Sequence, residues 1–351
     1  IDAHNFLEYA GYAPEFEKDA YRIFRDLGFL REREREREPG GAARVNLSAG
    51  ATGNAATSEA AEVAMAPKTQ MQGTLFKYGP KPVQVAFRTG SFQQQVIFIG
   101  GLTDGFFATE YLLPLAKALE SERWSLVQCL LSSSYSGYGT SSLKQDAQEL
   151  EQLINYLINE ENSHGVVLLG HSTGCQDIVY YLREGGICMK AVRGAILQAP
   201  VSDREYRATL PGTAAMIDLA DEMIKEGREL DLMPRGAEPA APITAHRFRS
   251  LAGYMGDDDM FSSDLSDEQL RVRLEHMSKL PCQVIFSMAD EYVPDYVNKH
   301  NLVKRLCAAM GATAVEIWGN HSLTNRIQEA VRAVVDFIKR ESSKDWDDPW
   351  K

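Results

Sequence analysis

The sequence lacks the features that mark several common protein classes. It has no apolar run of about 18 residues, the length that a membrane-spanning helix needs, and no basic region followed by an apolar one opens the chain. We therefore expect no membrane span and no secretory signal. No CxxC pair, HExxH motif or calcium-loop spacing is present, so we expect no metal site.

Cysteine is scarce and scattered. The chain has five cysteines, an odd number, and most of them lie in apolar runs. This pattern favours reduced, buried thiols that pack as small hydrophobic groups rather than disulfides. Reduced thiols are typical of a reducing compartment, so we expect a cytoplasmic protein.

Basic residues are outnumbered by acidic ones. In 351 residues, 37 Lys and Arg face 49 Asp and Glu, which gives a formal net charge of −12. Such an excess repels phosphate backbones and anionic lipid surfaces, so we expect no nucleic-acid partner. The hydrophobic share of 44% is that of a globular protein, and the length suits one large domain or two small ones.

Residues 1–70 differ in composition from the rest of the chain. A helical pattern is followed by four Arg-Glu repeats over Arg31–Glu38 and by a stretch rich in Ala, Gly, Ser and Thr. On a helix, the opposite charges of the repeats meet at i,i+3 but like charges meet at i,i+4, so the repeats stabilise a helix little. We predict an N-terminal extension over 1–70, partly helical and then flexible; the repeats form a solvated linker or, alternatively, a docking element.

Short β-branched runs alternate with helical stretches from residue 83 onward. The apolar runs occupy residues 83–87, 95–100, 125–131, 165–170, 194–200, 282–287 and 314–318, and the helical stretches 110–120, 142–159, 172–183, 295–310 and 325–341. Nearly continuous apolar strands are typical of a parallel sheet that is covered on both faces. The alternation therefore predicts an α/β fold with a doubly wound, mostly parallel sheet.

The alternation stops between residues 202 and 278. This stretch has helix-like pieces and proline-containing loops but no convincing strand. We interpret it as an insertion above the C-terminal ends of the strands, where α/β proteins bind ligands. The predicted organisation is an α/β domain over 71–342 with an insertion at 202–278, followed by a C-terminal tail over 343–351.

The strongest chemical signal is Gly170-His171-Ser172-Thr173-Gly174, a G-x-S-x-G segment between a predicted strand and a predicted helix. In that context the serine lies on a sharp turn and its hydroxyl projects from it. The two glycines leave room for the turn, and the helix N-terminus favours developing negative charge. A glycine-rich turn without chemistry is the alternative, but the flanking elements make Ser172 the candidate nucleophile.

A serine nucleophile needs a base, and the base needs an acid that orients it. In this arrangement the acid and then the histidine each follow a later strand. Asp290 and His321 follow the last two predicted strands in that order. Glu291 is the alternative acid. His300 lies in a helical run as a surface residue, and His171 is expected to have a packing role.

The candidate reaction also needs donors for an oxyanion. The backbone N–H of Thr173, directly after the serine, is one candidate, and Leu102 in the loop Gly100-Gly101-Leu102-Thr103-Asp104-Gly105 is the other. The paired glycines also suggest a phosphate-binding loop, but neither GxGxxG nor GxxxxGK[ST] is present. We therefore expect no nucleotide or other cofactor.

Five segments together are more specific than the serine motif alone. They are GHSTGCQD, QAPVSDRE, DDDMFSSDLSDEQL, ADEYVP and NHSLT. In these segments, and over about residues 73–340, the chain resembles an α/β-hydrolase family of fungi and plants that includes fungal siderophore esterases, which cleave fusarinine-type esters. The resemblance implies an α/β-hydrolase fold, a lid formed by the insertion, and a serine esterase mechanism with Ser172, Asp290 and His321 as a triad. No lid residue points to the siderophore substrate.

The sequence thus predicts a serine hydrolase that cleaves a carboxylic ester of a small molecule through an acyl-enzyme. Two alternatives remain open at this point. The same fold hosts small-molecule receptors with little or no turnover, because fold does not determine function. An acyltransferase would use the same nucleophile and pass the acyl group to an alcohol.

Overall fold

One eight-stranded sheet lies at the centre of the computed structural model, which describes residues 70–342. Its strands are β1 (Thr74–Lys77), β2 (Val85–Arg88), β3 (Gln94–Ile99), β4 (Ser125–Cys129), β5 (Gly165–His171), β6 (Val192–Gln198), β7 (Cys282–Ser287) and β8 (Thr313–Ile317). They are arranged in the order β1-β2-β4-β3-β5-β6-β7-β8. Strand β2 runs antiparallel to both β1 and β4, and the other neighbours pair in parallel. The predicted mostly parallel sheet is confirmed.

Helices cover both faces of this sheet. Within residues 70–342 they are α1 (Leu112–Ser121), α2 (Leu143–Glu161), α3 (Gly174–Glu184), α4 (Asp203–Ala208), α5 (Thr213–Lys225), α6 (Ala245–Ala252), α7 (Asp267–Leu274), α8 (Lys299–Met310) and α9 (Ile327–Ser342). Helices α1 and α9 pack on one face, and α2, α3 and α8 on the other. In β3, Val96 and Phe98 contact the first layer, whereas Ile97 and Ile99 contact the second. This alternation explains why the strand is apolar throughout.

Strand β1 is an addition to the predicted strands. Its four residues are mostly exposed, so they carry no run of buried apolar side chains that a sequence pattern could detect. Pairing with β2 fixes the strand, with Leu75 opposite Phe87 in the register. Tertiary pairing, rather than local hydrophobicity, therefore determines this edge of the sheet.

The chain order creates a crevice at the C-terminal ends of the central strands. From β3 the chain continues to β4 on one side, and from β5 it continues to β6 on the other side. The loops that follow β3 and β5 therefore diverge although the two strands are neighbours. Such a switch point is where ligands bind in open α/β sheets.

The predicted insertion at 202–278 is mainly helical. It contains α4, α5, α6 and α7, and its only strand-like feature within the described residues is an isolated bridge between Leu232 and Thr244. Some of its buried side chains, including Met223, Phe248 and Leu251, form a separate core, whereas others, including Phe261 and Leu270, belong to the core on one face of the sheet. The insertion is thus a packed substructure rather than a long loop.

Two predicted segments fall outside the description of the structure. They are the N-terminal extension over 1–70, apart from its last residue, and the C-terminal tail over 343–351. Among the helices of residues 70–342, none is long and apolar enough to cross a membrane.

Candidate active site

Ser172 lies on a sharp turn between β5 and α3. Its φ of +55° is in the left-handed region, which residues other than glycine seldom adopt. The N–H of Ser172 donates to the Gln198 carbonyl at 3.0 Å, and the Ser172 carbonyl accepts from the Cys175 N–H at 2.9 Å. These bonds hold a strained backbone conformation of the kind that is concentrated at functional sites.

The two glycines of the motif are required by backbone contacts. A Cβ on Gly174 would lie 2.2 Å from the carbonyl oxygen of Ile99 in the neighbouring strand. A Cβ on Gly170 would lie 2.6 Å from the carbonyl oxygen of Gly174. Backbone atoms of a sheet cannot move aside as a flexible side chain can, so any larger residue would displace the turn.

His321 and Asp290 form a buried hydrogen-bonded pair on the loops that follow β8 and β7. Nδ1 of His321 lies 2.7 Å from Oδ2 of Asp290, and the other carboxylate oxygen accepts from the Tyr292 N–H at 2.9 Å. Both residues are buried: His321 is 6% exposed and Asp290 is 3% exposed. Because the carboxylate accepts at Nδ1, that nitrogen carries the hydrogen and Nε2 is left as the basic nitrogen of the neutral ring.

The alternative acid, Glu291, reaches a different atom of the same histidine. Its Oε2 accepts from the backbone N–H of His321 at 2.8 Å. Asp290 therefore contacts the ring while Glu291 contacts the main chain. His300 is exposed, with Nδ1 2.7 Å from Oε2 of Glu316 on the surface.

The serine turn and the histidine loop are in direct contact. The ring of His171, the residue before Ser172, lies 4.9 Å from the ring of His321, centroid to centroid. On its other side, the His321 ring meets the ring of Tyr292 edge to face at 4.7 Å. The three residues singled out in the sequence, Ser172, Asp290 and His321, thus lie on adjoining loops at one edge of the sheet.

The loop after β3 lies against Ser172. A Cβ on Gly101 would be 2.6 Å from Cβ and 3.1 Å from Oγ of Ser172. The Gly101 N–H donates to Oδ2 of Asp104 at 2.7 Å and is therefore already engaged. Leu102 follows Gly101 at this close approach, and its side chain packs against the core of the insertion.

Thr173, the other predicted donor, is buried and occupies the N-cap position of α3. The backbone N–H groups at a helix N-terminus point away from the helix and favour negative charge nearby. Leu102 follows β3 and Thr173 follows β5, so the two predicted donors lie on the two loops that diverge at the switch point.

Gln198, at the end of β6, connects these parts and was not a candidate from the sequence. Its Oε1 lies 2.6 Å from Nδ1 of His171 and accepts from the Tyr111 hydroxyl at 3.2 Å. Its Nε2 donates to the carbonyl oxygen of His321 at 2.9 Å. One buried amide therefore joins the serine turn to the histidine loop. A glutamine within an apolar strand was the available sequence signal.

The same network holds His171 in the neutral form. The pKa of His171 is lowered to about 3, mainly by burial and also by the nearby His321, whereas the hydrogen bond to Gln198 acts in the opposite direction. Because Oε1 of Gln198 can only accept, Nδ1 of His171 carries the hydrogen. The predicted packing role thus comes with a buried polar contact.

An aromatic contact joins the insertion to the loop that follows β7. The ring of Tyr206, on α4, meets the ring of Tyr292 edge to face at a centroid distance of 5.0 Å. Tyr292 is 40% exposed and also contacts His321. The insertion therefore reaches the candidate site through a partly exposed aromatic wall.

The described residues contain no group of three or more His, Cys, Asp or Glu side chains with the geometry of a metal site. All five cysteines are free, four of them buried and Cys307 partly buried. Burial raises the pKa of Cys129, Cys188, Cys282 and Cys307 and of Cys175, so the thiol form is favoured. Such cysteines pack as hydrophobic groups rather than act as nucleophiles.

Comparison with known proteins assigns the chain to a protein family. Residues 65–343 match the family described as a protein of unknown function, DUF1749. The fusarinine C esterase of Aspergillus fumigatus is 32% identical over 294 residues, covering 68% of this chain and 83% of that protein. An esterase of Emericella nidulans is 30% identical over 302 residues, covering 68% of this chain and 80% of that protein. The resemblance inferred from the five segments is confirmed.

Solved structures support the same assignment at the level of fold. The siderophore hydrolase EstB of Aspergillus fumigatus superposes with a TM-score of 0.65 at 29% identity, covering 79% of this chain and 100% of that one. An α/β-hydrolase fold protein of unknown function superposes with a TM-score of 0.61 at 20% identity, covering 79% of this chain and 98% of that one. The predicted α/β-hydrolase fold is confirmed.

Proposed function

Because the chain belongs to the DUF1749 family, we propose, from the esterases among its relatives, that it hydrolyses a carboxylic ester of a small molecule by a serine mechanism. One observation carries the proposal beyond similarity. Ser172 occupies a left-handed turn, and the ring of the preceding His171 lies 4.9 Å from the ring of a buried His321 whose Nδ1 is hydrogen-bonded to Asp290 at 2.7 Å. A serine nucleophile needs a base held in one tautomer, and the Asp290–His321 pair supports that role for His321.

In this mechanism the Ser172 hydroxyl attacks the ester carbonyl while Nε2 of His321 takes its proton. The tetrahedral intermediate collapses when His321 returns the proton to the leaving alcohol, and the acyl group stays on Ser172. Water, activated by the same histidine, then hydrolyses the acyl-enzyme. Asp290 orients the ring and stabilises the imidazolium that forms in each step.

The oxyanion of the intermediate would be stabilised by the N–H groups of Thr173 and Leu102. Thr173 follows the nucleophile at the N-terminus of α3, where the helix dipole favours negative charge. Leu102 follows Gly101, whose own N–H is bound by Asp104, in the loop closest to Ser172. Loss of one such donor typically lowers turnover by about 10²–10³-fold.

The insertion at 202–278 is proposed to act as the lid of a hydrolase domain that spans 71–342. Its helix α4 contacts the loop that follows β7 through Tyr206 and Tyr292, and Tyr292 also contacts the ring of His321. Leu102 of the oxyanion loop packs against the insertion's own core. The lid would therefore border the substrate on two sides, next to the base and next to the oxyanion donors.

A reducing compartment fits the thiol chemistry of the chain. All five cysteines are free, although Cys282 is near enough to Cys175 to raise its pKa. Thiols remain reduced in the cytoplasm and become disulfides in oxidising compartments. We therefore place the protein in the cytoplasm as part of the proposal.

The proposal is tested by ester turnover with wild-type protein and Ser172→Ala. The assay uses 4-nitrophenyl esters of increasing acyl length and a siderophore-type ester, because two relatives are named for such activity. Ser121→Ala, at an exposed hydroxyl on α1, is the matched control. We expect Ser172→Ala to lose turnover by about 10⁴-fold or more and the control to be unchanged.

Three outcomes would favour a different mechanism or function. Equal hydrolysis by wild type and Ser172→Ala would remove the serine mechanism. Ligand-induced stabilisation of the wild type without turnover of any ester would favour a receptor. Product analysis with an added alcohol acceptor identifies an acyltransferase, which would form a new ester in preference to the acid.

A further inference from the structure

Asp104 closes the turn that carries Leu102. Oδ2 of Asp104 accepts from the Gly101 N–H at 2.7 Å, and the Asp104 N–H donates to the Gly101 carbonyl at 3.1 Å. Thr103, inside the turn, has a φ of +67°. The four-residue turn is therefore bonded twice between its first and last residues, and the direction of the Leu102 N–H is set by this closure.

The position of Asp104 is fixed from outside the turn as well. Its carbonyl oxygen accepts from the Tyr135 N–H at 3.0 Å, which ties it to the segment after β4. A Cβ on Gly100 would lie 2.6 Å from Cβ of Asp104, so the side chain is packed directly on the loop backbone. The main chain and the Cβ of Asp104 are therefore held next to the Gly101 N–H.

The carboxyl group of Asp104 lies close to the histidines of the site. Its Oδ2 is 3.9 Å from Nε2 of His171, whose ring lies 4.9 Å from the ring of His321. Gly101, which it binds, approaches Ser172 so closely that an added Cβ would lie 2.6 Å from the serine Cβ. Movement of the turn would therefore change the position of Leu102 relative to the nucleophile.

We propose that Asp104 is a positioning residue for ester hydrolysis: by accepting the Gly101 N–H, it holds the turn in which the Leu102 N–H faces the Ser172 oxyanion. This inference rests on the proposed function, since it takes Ser172 as the nucleophile and Leu102 as an oxyanion donor. Asp104 itself takes no part in the proton transfer.

The chemistry requires an acceptor at this position rather than a negative charge. A carboxylate close to a developing oxyanion would oppose it, whereas an oxygen that accepts the Gly101 N–H is sufficient to close the turn. Burial raises the pKa of Asp104, although the Gly101 N–H and His321 act in the opposite direction. Asparagine offers an oxygen at the same place without the charge.

The test compares Asp104→Asn with Asp104→Ala and Asp104→Leu. Leucine keeps a branched side chain with the same number of heavy atoms but cannot accept a hydrogen bond, so it serves if the alanine variant does not fold. Asp295→Ala, at an exposed aspartate, is the matched control. Steady-state turnover of a 4-nitrophenyl ester gives kcat and KM, and thermal unfolding verifies that each variant is folded at the assay temperature.

We expect Asp104→Ala or Asp104→Leu to lower kcat by about 10–100-fold with KM within about threefold, because transition-state stabilisation is lost but substrate binding is not. Asp104→Asn should restore kcat to within about threefold of wild type. A trifluoromethyl ketone, which forms an oxyanion on the serine, should bind the alanine or leucine variant more weakly in proportion to kcat/KM. A defect that is merely structural would not produce this proportion.

Two results would overturn the inference: a folded Asp104→Ala or Asp104→Leu with kcat within about twofold of wild type, or an Asn variant as impaired as the others. Labelling by a fluorophosphonate separates this failure from that of the proposed function. If wild type is labelled and Ser172→Ala is not, the serine mechanism stands and the role of Asp104 alone is rejected. If neither is labelled, the proposed function itself fails.

Discussion

Oδ2 of Asp290 lies 2.7 Å from the ring nitrogen Nδ1 of His321. The next residue, Glu291, binds the backbone N–H of the same histidine at 2.8 Å. Two adjacent carboxylates thus reach different atoms of one residue. The first acts on the tautomer and charge of the ring, and the second acts on the conformation of the loop.

Substitution of the two acids is expected to have unequal effects. Asp290→Asn should lower kcat by about 10⁴-fold, because an amide can stabilise the wrong tautomer of the histidine and cannot balance the imidazolium. Glu291→Gln keeps an oxygen that accepts the His321 N–H, so most of the activity should remain. Steady-state ester hydrolysis measures both. A Glu291→Gln loss as large as that of Asp290→Asn would make Glu291 the functional acid.

Gly101→Ala should inactivate the protein without unfolding it. The added methyl group would lie 2.6 Å from Cβ of Ser172, so the serine or the loop must move. A displacement of about 1 Å can cost about 10²-fold in rate, and we expect at least that loss in kcat. The control is Gly236→Ala, where no atom lies within 4 Å of the new Cβ. If both variants hydrolyse esters alike, the close approach of this loop to Ser172 is wrong.

His171 should make the protein less stable in acid. Its pKa is lowered to about 3, mainly by burial, so the unfolded state binds the proton first as the pH falls. Its contribution to the free energy of unfolding is complete above about pH 6.5 and decreases by about 1.4 kcal/mol per pH unit toward pH 3. Urea unfolding of wild type and His171→Asn at several pH values should show a smaller decrease for the variant. Parallel curves would contradict the assignment.

Asp146 should have the opposite dependence on pH. Burial raises its pKa to about 7, although Arg247 of the insertion acts to lower it. The folded state therefore holds a proton that the unfolded state has released, and stability is lost as the pH rises from about 4 to 7. Asn at this position keeps an oxygen for the Ser141 hydroxyl, 3.1 Å away.

The gain in stability of Asp146→Asn over wild type should therefore increase from pH 4 to 7 and level off above it. Urea unfolding over that range measures the difference. A difference that is independent of pH, or that shrinks as the pH rises, would show that the carboxyl group is ionised throughout.

Much of the fold could be predicted because its strands are buried on both faces. Runs such as residues 165–170 are apolar without interruption, and this pattern can be recognised without knowledge of the neighbouring strands. Strand β1 was missed because its residues are mostly exposed. The helix predicted over 295–310 begins instead at Lys299, where the Asn298 side chain accepts from the Asn301 N–H.

The candidate site divides in the same way. Ser172 could be proposed because its motif is local, and Asp290 and His321 because strand order determines where they lie. Gln198 and Asp104 could not, since their partners are distant in sequence or are backbone atoms. Gln198 contacts His321 across 123 positions, and no spacing rule relates the two.

The most direct measurement is the reaction of the protein with a serine-directed fluorophosphonate, followed by mass spectrometry of its peptides. The account predicts one phosphonyl group per folded chain, on Ser172, and no labelling of Ser172→Ala or of heat-unfolded protein. Labelling at another residue, equal labelling of Ser172→Ala, or no reaction of a folded wild type would contradict the serine mechanism.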